Sequence, residues 1–162
     1  MKTLQNFING KSVPSQSGQT QDLINPATGE IFAHSPISNA ADIDAAMNAA
    51  AAAFETWRDS TPGERQKAIN KIADAIENRS EELINIECEN TGKPIAVTRA
   101  EEIGPMLDQI RFFAGAARHL EGRSAAEYFK GHTSFIRREP IGVCARSEEH
   151  TSELQSPDHL VC

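Results

Sequence analysis

Between residues 39 and 120 apolar side chains recur at helical spacing with few interruptions, and this helical block limits the possible folds more than any other feature. Asn39, with Asp42 three positions on, marks a helix start. Ile43, Met47, Ala50, Phe54 and Trp57 then fall on one face, and the alanines at 49–53 suit close packing. Thr61-Pro62-Gly63-Glu64 is a capping box with proline at the first helical position, and Ile69, Ile72 and Ile76 continue that second helix. Ser80-Glu81-Glu82 is expected to cap a third helix, which Gly92 and Pro94 end. A fourth helical region, about 97–120, carries a stripe of Ile103, Met106, Ile110, Phe113, Ala117 and Leu120, read as core. Pro105 should kink it or restart it.

Short extended segments flank the block. Asn9-Gly10 between Phe7-Ile8 and Lys11 is a hairpin signal. Asp22-Leu23-Ile24 and Ile31-Phe32 bracket the turn Asn25-Pro26-Ala27-Thr28-Gly29, whose role is read as structural. Residues 133–138 and 141–145 look like strands. Short strands, four helical segments and strands again give an α/β layout that stops as a new sheet begins.

The composition narrows the function. A net charge of -7 without a basic run argues against nucleic-acid binding. No apolar run reaches membrane-spanning length, and no apolar segment follows the N-terminus as a signal peptide would require. Three scattered cysteines, Cys88, Cys144 and Cys162, suggest a reducing cytoplasm. With five scattered histidines, they show no zinc-ligand spacing.

Six segments in order resemble the aldehyde dehydrogenase superfamily. They are Phe7-Ile8-Asn9-Gly10, Ile24-Asn25-Pro26-Ala27-Thr28-Gly29-Glu30, Ala53-Phe54-Glu55-Thr56-Trp57, Glu89-Asn90-Thr91-Gly92-Lys93-Pro94, Arg111-Phe112-Phe113-Ala114-Gly115 and Glu139-Pro140-Ile141-Gly142-Val143. Within the family, Phe112 to Arg118, Glu127-Tyr128 and Gly131 to Arg138 look most like gamma-aminobutyraldehyde dehydrogenases.

The resemblance implies a cytoplasmic, homo-oligomeric parent enzyme of polyamine degradation. Such an enzyme oxidises an aldehyde, 4-aminobutanal or a relative, to the acid with NAD as hydride acceptor. In the family a cysteine thiolate attacks the carbonyl, an asparagine amide and a backbone N–H hold the oxyanion, and a glutamate activates water. No catalytic or cofactor-binding residue is assigned within this chain, which is expected to be inactive and not to bind NAD. Cys88 is read as a small buried hydrophobe and Cys144 as part of an apolar strand, not as nucleophiles.

The resemblance also implies two site assignments. Asp108 aligns with a helix carboxylate that helps bind a monovalent cation, with a backbone carbonyl near Leu23. Glu102 aligns with acids at the substrate tunnel mouth of aminoaldehyde enzymes. A solvated helix carboxylate is the alternative for each.

Residues 1–145 are thus expected to be the N-terminal part of an aldehyde dehydrogenase, an incomplete NAD-binding domain with oligomerisation strands. Residues 146–162 are expected to be a non-native tail. Arg146 to Ser156 reads as one frame of a common sequencing adapter, and Leu160-Val161-Cys162 as its continuation after an index. His150 and Cys162 are accordingly given no catalytic role. The family's Pro-Trp-Asn motif is expected just after Ala145. A different class of reading is a non-catalytic, acidic helical interaction module. Under the first reading, open strand edges and uncovered helix faces are also expected.

Overall fold

The computed structural model describes residues 1–122 and 125–146. Tight local signals build the first part. β2 (Asn6–Ile8) and β3 (Lys11–Val13) pair antiparallel across Asn9 and Gly10, with φ of 52° and 73°. Those two positive angles are what a type I′ turn requires, and Asn-Gly supplies them at least cost. β1 (Lys2–Thr3) runs parallel to β5 (Ile31–Pro36), and β4 (Thr20–Ile24) lies antiparallel on the other side of β5. The resulting three-stranded sheet has the order β1-β5-β4.

α1 (Ala40–Trp57) and α2 (Pro62–Asn78) both begin on complete capping boxes, Asn39 with Asp42 and Thr61 with Glu64. The Asn39 and Thr61 side-chain bonds satisfy amides the helix cannot, each stabilising its start by about 1 kcal/mol. α3 (Ser80–Thr91) departs from expectation. Ser80 is its first helical residue, and Arg79 stands at the cap without a side-chain cap bond. Only Arg79 separates the two helices, at φ -114° and ψ 16°, so no extended residue precedes Ser80. Gly92 ends α3 in the left-handed region at φ 74°, and a Cβ there would stand 2.9 Å from Pro26 Cγ.

After the single turn α4 (Ile95–Val97), a π-turn (Thr98–Glu102) leads into α5 (Ile103–Ala116). Pro105 is the third residue of α5 and has no N–H to return to the Glu101 carbonyl. The wider π-turn just before it relaxes the helix where that bond is missing. The expected restart is therefore present, a few residues earlier than Pro105.

α2 and α5 are the main helix pair, and each buries one alanine completely, Ala73 and Ala114. Ile84, Cys88, Leu107 and Ala33 complete the buried apolar set. The stripe read as core on α5 is therefore rotated: Phe113 and Leu120 are exposed, while Leu107 and Ala114 face inward. Small side chains let helix axes approach, so the buried line centres on alanine rather than on the largest residues. Arg111 then anchors α5 to Asp74 and Glu77 of α2 at 3.2 and 2.5 Å.

α1 behaves the same way. Its half-buried residues are Ala45, Ala46, Ala49, Ala50 and Phe54, whereas Ile43, Met47 and Trp57 are exposed. Its one buried residue is Asp42. That carboxylate accepts bonds from the Asn39 and Gln16 amides at 2.9 and 3.0 Å and from Ser15 Oγ at 2.8 Å, tying the loop after β3 to the start of α1. The two backbone N–H bonds, Asn39 first and Gln16 second, hold it below the usual carboxylate range, against the opposing effect of burial.

A lowered folded-state pKa contributes stability above the unfolded value of 3.8, and this is lost as pH falls through the folded value. Asp42→Asn is therefore expected to speed amide exchange at Gln16 at neutral pH. The gap from the parent chain should begin to close only below the ordinary carboxylate value of 3.8 and vanish as pH falls through the lower folded value, where the parent's own carboxylate protonates. Exchange at Gln16 followed by NMR against pH measures this; a gap unchanged at low pH contradicts it.

The last strands depart most from expectation. β6 (Ala126–Phe129) and β7 (His132–Ser134) form an isolated antiparallel hairpin exposed along both strands. Within 133–138 the strand ends at Ser134, and 141–145 forms no strand. A strand exists only by pairing, and among the described residues no strand pairs with 135–145.

Candidate functional site

Of the residues singled out for chemistry, Cys88 and Glu102 lie around the end of α3 and the π-turn. Thr98 is buried, and its hydroxyl donates to the Pro94 carbonyl at 3.3 Å while the Cys88 thiol donates to Thr98 Oγ1 at 3.5 Å. This small buried knot fixes where the π-turn leaves α4. It sets Glu102 beside Lys93, whose Nζ lies 3.2 Å from Glu102 and 3.1 Å from Glu87. Hydrogen bonds to Glu87 first and Glu102 second raise the Lys93 pKa above its ordinary value.

Two carboxylates against one ammonium leave the cluster net negative. It sits at the edge of an apolar cleft of about 520 Å³ lined by Ile76, Leu83, Ile84, Ile103 and Met106. An apolar wall with a carboxylate rim suits an aliphatic ammonium compound, although Lys93 already engages both acids. Lys93 and Glu87 were not anticipated as partners of Glu102. Gly92-Lys93-Pro94 read only as a helix stop, and the nine-residue separation of Lys93 from Glu102 has no helical period.

Leu23 is half-buried on β4, opposite Ala33, and helps wall a cleft of about 540 Å³ with Leu4, Phe32 and Ile86. Asp108 is exposed on α5 and is not part of that wall. The two residues proposed for one cation thus do not line that cleft together. Among the described residues no group of three or more His, Cys, Asp or Glu side chains could hold a metal ion.

Cys88 is buried, as a small hydrophobe should be. Cys144 is exposed outside any strand, which corrects its expected setting. His150 and Cys162, like the tail from 147 onward, lie outside the described residues. No helix among the described residues is long and apolar enough to cross a membrane.

The family model for the aldehyde dehydrogenase family matches residues 12–146. The chain belongs to the aldehyde dehydrogenase family.

Solved aldehyde dehydrogenases agree in shape. The chain is 34% identical to the Bacillus cereus aldehyde dehydrogenase in its NAD⁺ complex, with a TM-score of 0.80 over 86% of this chain and 29% of that one. A putative aldehyde dehydrogenase from Burkholderia cenocepacia gives 33% identity and a TM-score of 0.81, covering 87% of this chain and 29% of that one. An NAD-dependent aldehyde dehydrogenase from Sinorhizobium meliloti gives 37% and 0.75, covering 82% and 27%. The chain therefore spans less than a third of the length of these aldehyde dehydrogenases. Its α/β architecture is that of one part of the family fold.

Proposed function

We propose that residues 1–145 are the N-terminal part of an NAD-dependent aldehyde dehydrogenase that oxidises an aminoaldehyde such as 4-aminobutanal to its acid. The observation that carries this is the family match over 12–146, together with a relative solved as an NAD⁺ complex. The aminoaldehyde assignment rests on the resemblance of residues 112–138 and on Glu102 at an apolar cleft. In the parent enzyme we place Glu102 near the substrate's ammonium end, Asp108 and the Leu23 carbonyl at a monovalent cation, and the protein in the cytoplasm as a homo-oligomer.

We place the dinucleotide outside the described residues. The approach from β5 to α1 reads Ile37-Ser38-Asn39, without the glycines that let a backbone meet a pyrophosphate. Cys88 is buried and its thiol donates to Thr98 Oγ1, which suits a structural role. Cofactor binding and bond-making therefore belong to other parts of the parent enzyme in this proposal, and this chain alone is inactive.

Purified chain mixed with NAD⁺ and 4-aminobutanal is expected to form no NADH; turnover would sink the assignment of inactivity. In the parent enzyme, Glu102→Gln is expected to raise KM for 4-aminobutanal by up to roughly five-fold, the value of one partly exposed ion pair. KM for butanal should stay unchanged. An equal change for both aldehydes would remove Glu102 from substrate recognition.

A further inference from the structure

We propose that Lys93 is a specificity-determining residue of the apolar cleft. Its ammonium occupies Glu87 and Glu102, and so decides how strongly the cleft prefers a cationic aliphatic ligand to a neutral one. The proposal rests on the reading in which Glu102 meets the ammonium end of a substrate, and it deepens that reading.

Glu87 and Glu102 belong to the lining of the 520 Å³ cleft, together with Ile84, Ile103 and Met106. Lys93 does not. It lines a neighbouring cleft of about 430 Å³ with Asn25, Ala27 and Ile95. Its Nζ therefore reaches the two acids from outside the apolar cleft. It lies 3.1 Å from Glu87 and 3.2 and 3.3 Å from the two oxygens of Glu102.

The starting point of that reach is built into the chain. Gly92 ends α3 at φ 74° against Pro26, and Pro94 restricts the residue before it to extended backbone. The Lys93 backbone is held between these two constraints, and its flexible four-carbon stem does the adjusting. That side chain is chemically a tethered butylammonium ion, so it offers the acids what an aliphatic ammonium ligand would. Arg99, on the π-turn, is committed elsewhere, bonded to both oxygens of Glu81 at 2.9 and 2.7 Å.

The side chains of Lys93, Glu87 and Glu102 are each about two-fifths exposed. Ion pairs so exposed are weak, worth about five-fold at most in an equilibrium. Lys93 thus halves the charge of the rim, one ammonium against two carboxylates, yet can be displaced from it.

The test uses the full 162-residue chain, with n-butylammonium and 1-butanol as probes followed by NMR at the Met106 methyl. Lys93→Met keeps a stem of similar length without the charge. It should raise the preference for butylammonium over butanol by about three- to five-fold relative to the unsubstituted chain. Lys93→Arg should behave as the unsubstituted chain does. Glu102→Gln added to Lys93→Met should remove most of the gain. Butanol affinity should stay within about two-fold throughout, and the gain should shrink as salt is raised.

An unchanged preference in Lys93→Met overturns the proposal. So does a gain equal for both probes, which is what a purely structural Lys93 would give, or no butylammonium binding by Lys93→Met. The aminoaldehyde reading is separated by the parent enzyme. A gain specific to butylammonium, with Glu102→Gln shifting KM equally for 4-aminobutanal and butanal, upholds Lys93 and counts against that reading. The reverse pair of results sinks the role of Lys93 alone.

Discussion

Heated alone, the chain is expected to lose structure over a wide temperature range and with far less enthalpy than a compact domain of its length. A domain of about 145 residues normally absorbs on the order of 100 kcal/mol in one sharp transition. Here only six apolar residues are buried among those described, four of them alanine or cysteine-sized. Ile43, Trp57, Phe112, Phe113, Tyr128 and Phe129 are all at least half exposed. Buried apolar area is the main term offsetting chain entropy, so the deficit lowers both stability and cooperativity. Calorimetry with a dye that reports exposed apolar surface measures this. A single sharp transition with full enthalpy would contradict it.

Ile84→Ala is expected to have the largest effect of any single truncation. Ile84 is 2% exposed and is the largest fully buried apolar side chain. It lies on α3 and borders the cleft shared with Ile76 of α2 and Met106 of α5. Truncation removes transfer energy and leaves a cavity, about 2–5 kcal/mol for an isoleucine or leucine. Ile86→Ala, two positions on and 47% exposed, should cost much less. Amide exchange through α2 and α5 is the suitable readout, since the whole chain need not melt as one unit. Acceleration on the order of 100-fold in Ile84→Ala, with little change in Ile86→Ala, is the expected result. Equal acceleration would show that α3 is not the centre of the core.

What was legible in the sequence was local. The Asn9-Gly10 turn and the Asn39 and Thr61 boxes depend on residues within a few positions of one another, so their chemistry is complete in the sequence. The burial of Cys88 followed from its helical phase. Which face of α5 packs was not legible, because Ala73 of α2 and Ala114 decide it through contact between helices distant in sequence. Strand character at 135–145 failed for a related reason: the pattern was extended, but pairing needs a neighbour. At the candidate site, Glu102 was singled out through the resemblance. Lys93 and Glu87 came to light only through the π-turn that brings the three together.

The chain spans less than a third of the aldehyde dehydrogenases it matches, and the proposal assigns the activity to a larger parent enzyme. The most direct test is genomic DNA read through the codon for Ala145. The expected result is an aldehyde dehydrogenase frame that continues past it into a Pro-Trp-Asn motif, with residues 146–162 absent from the genome. A genomic frame that encodes Arg146 to Cys162 and then stops would contradict it.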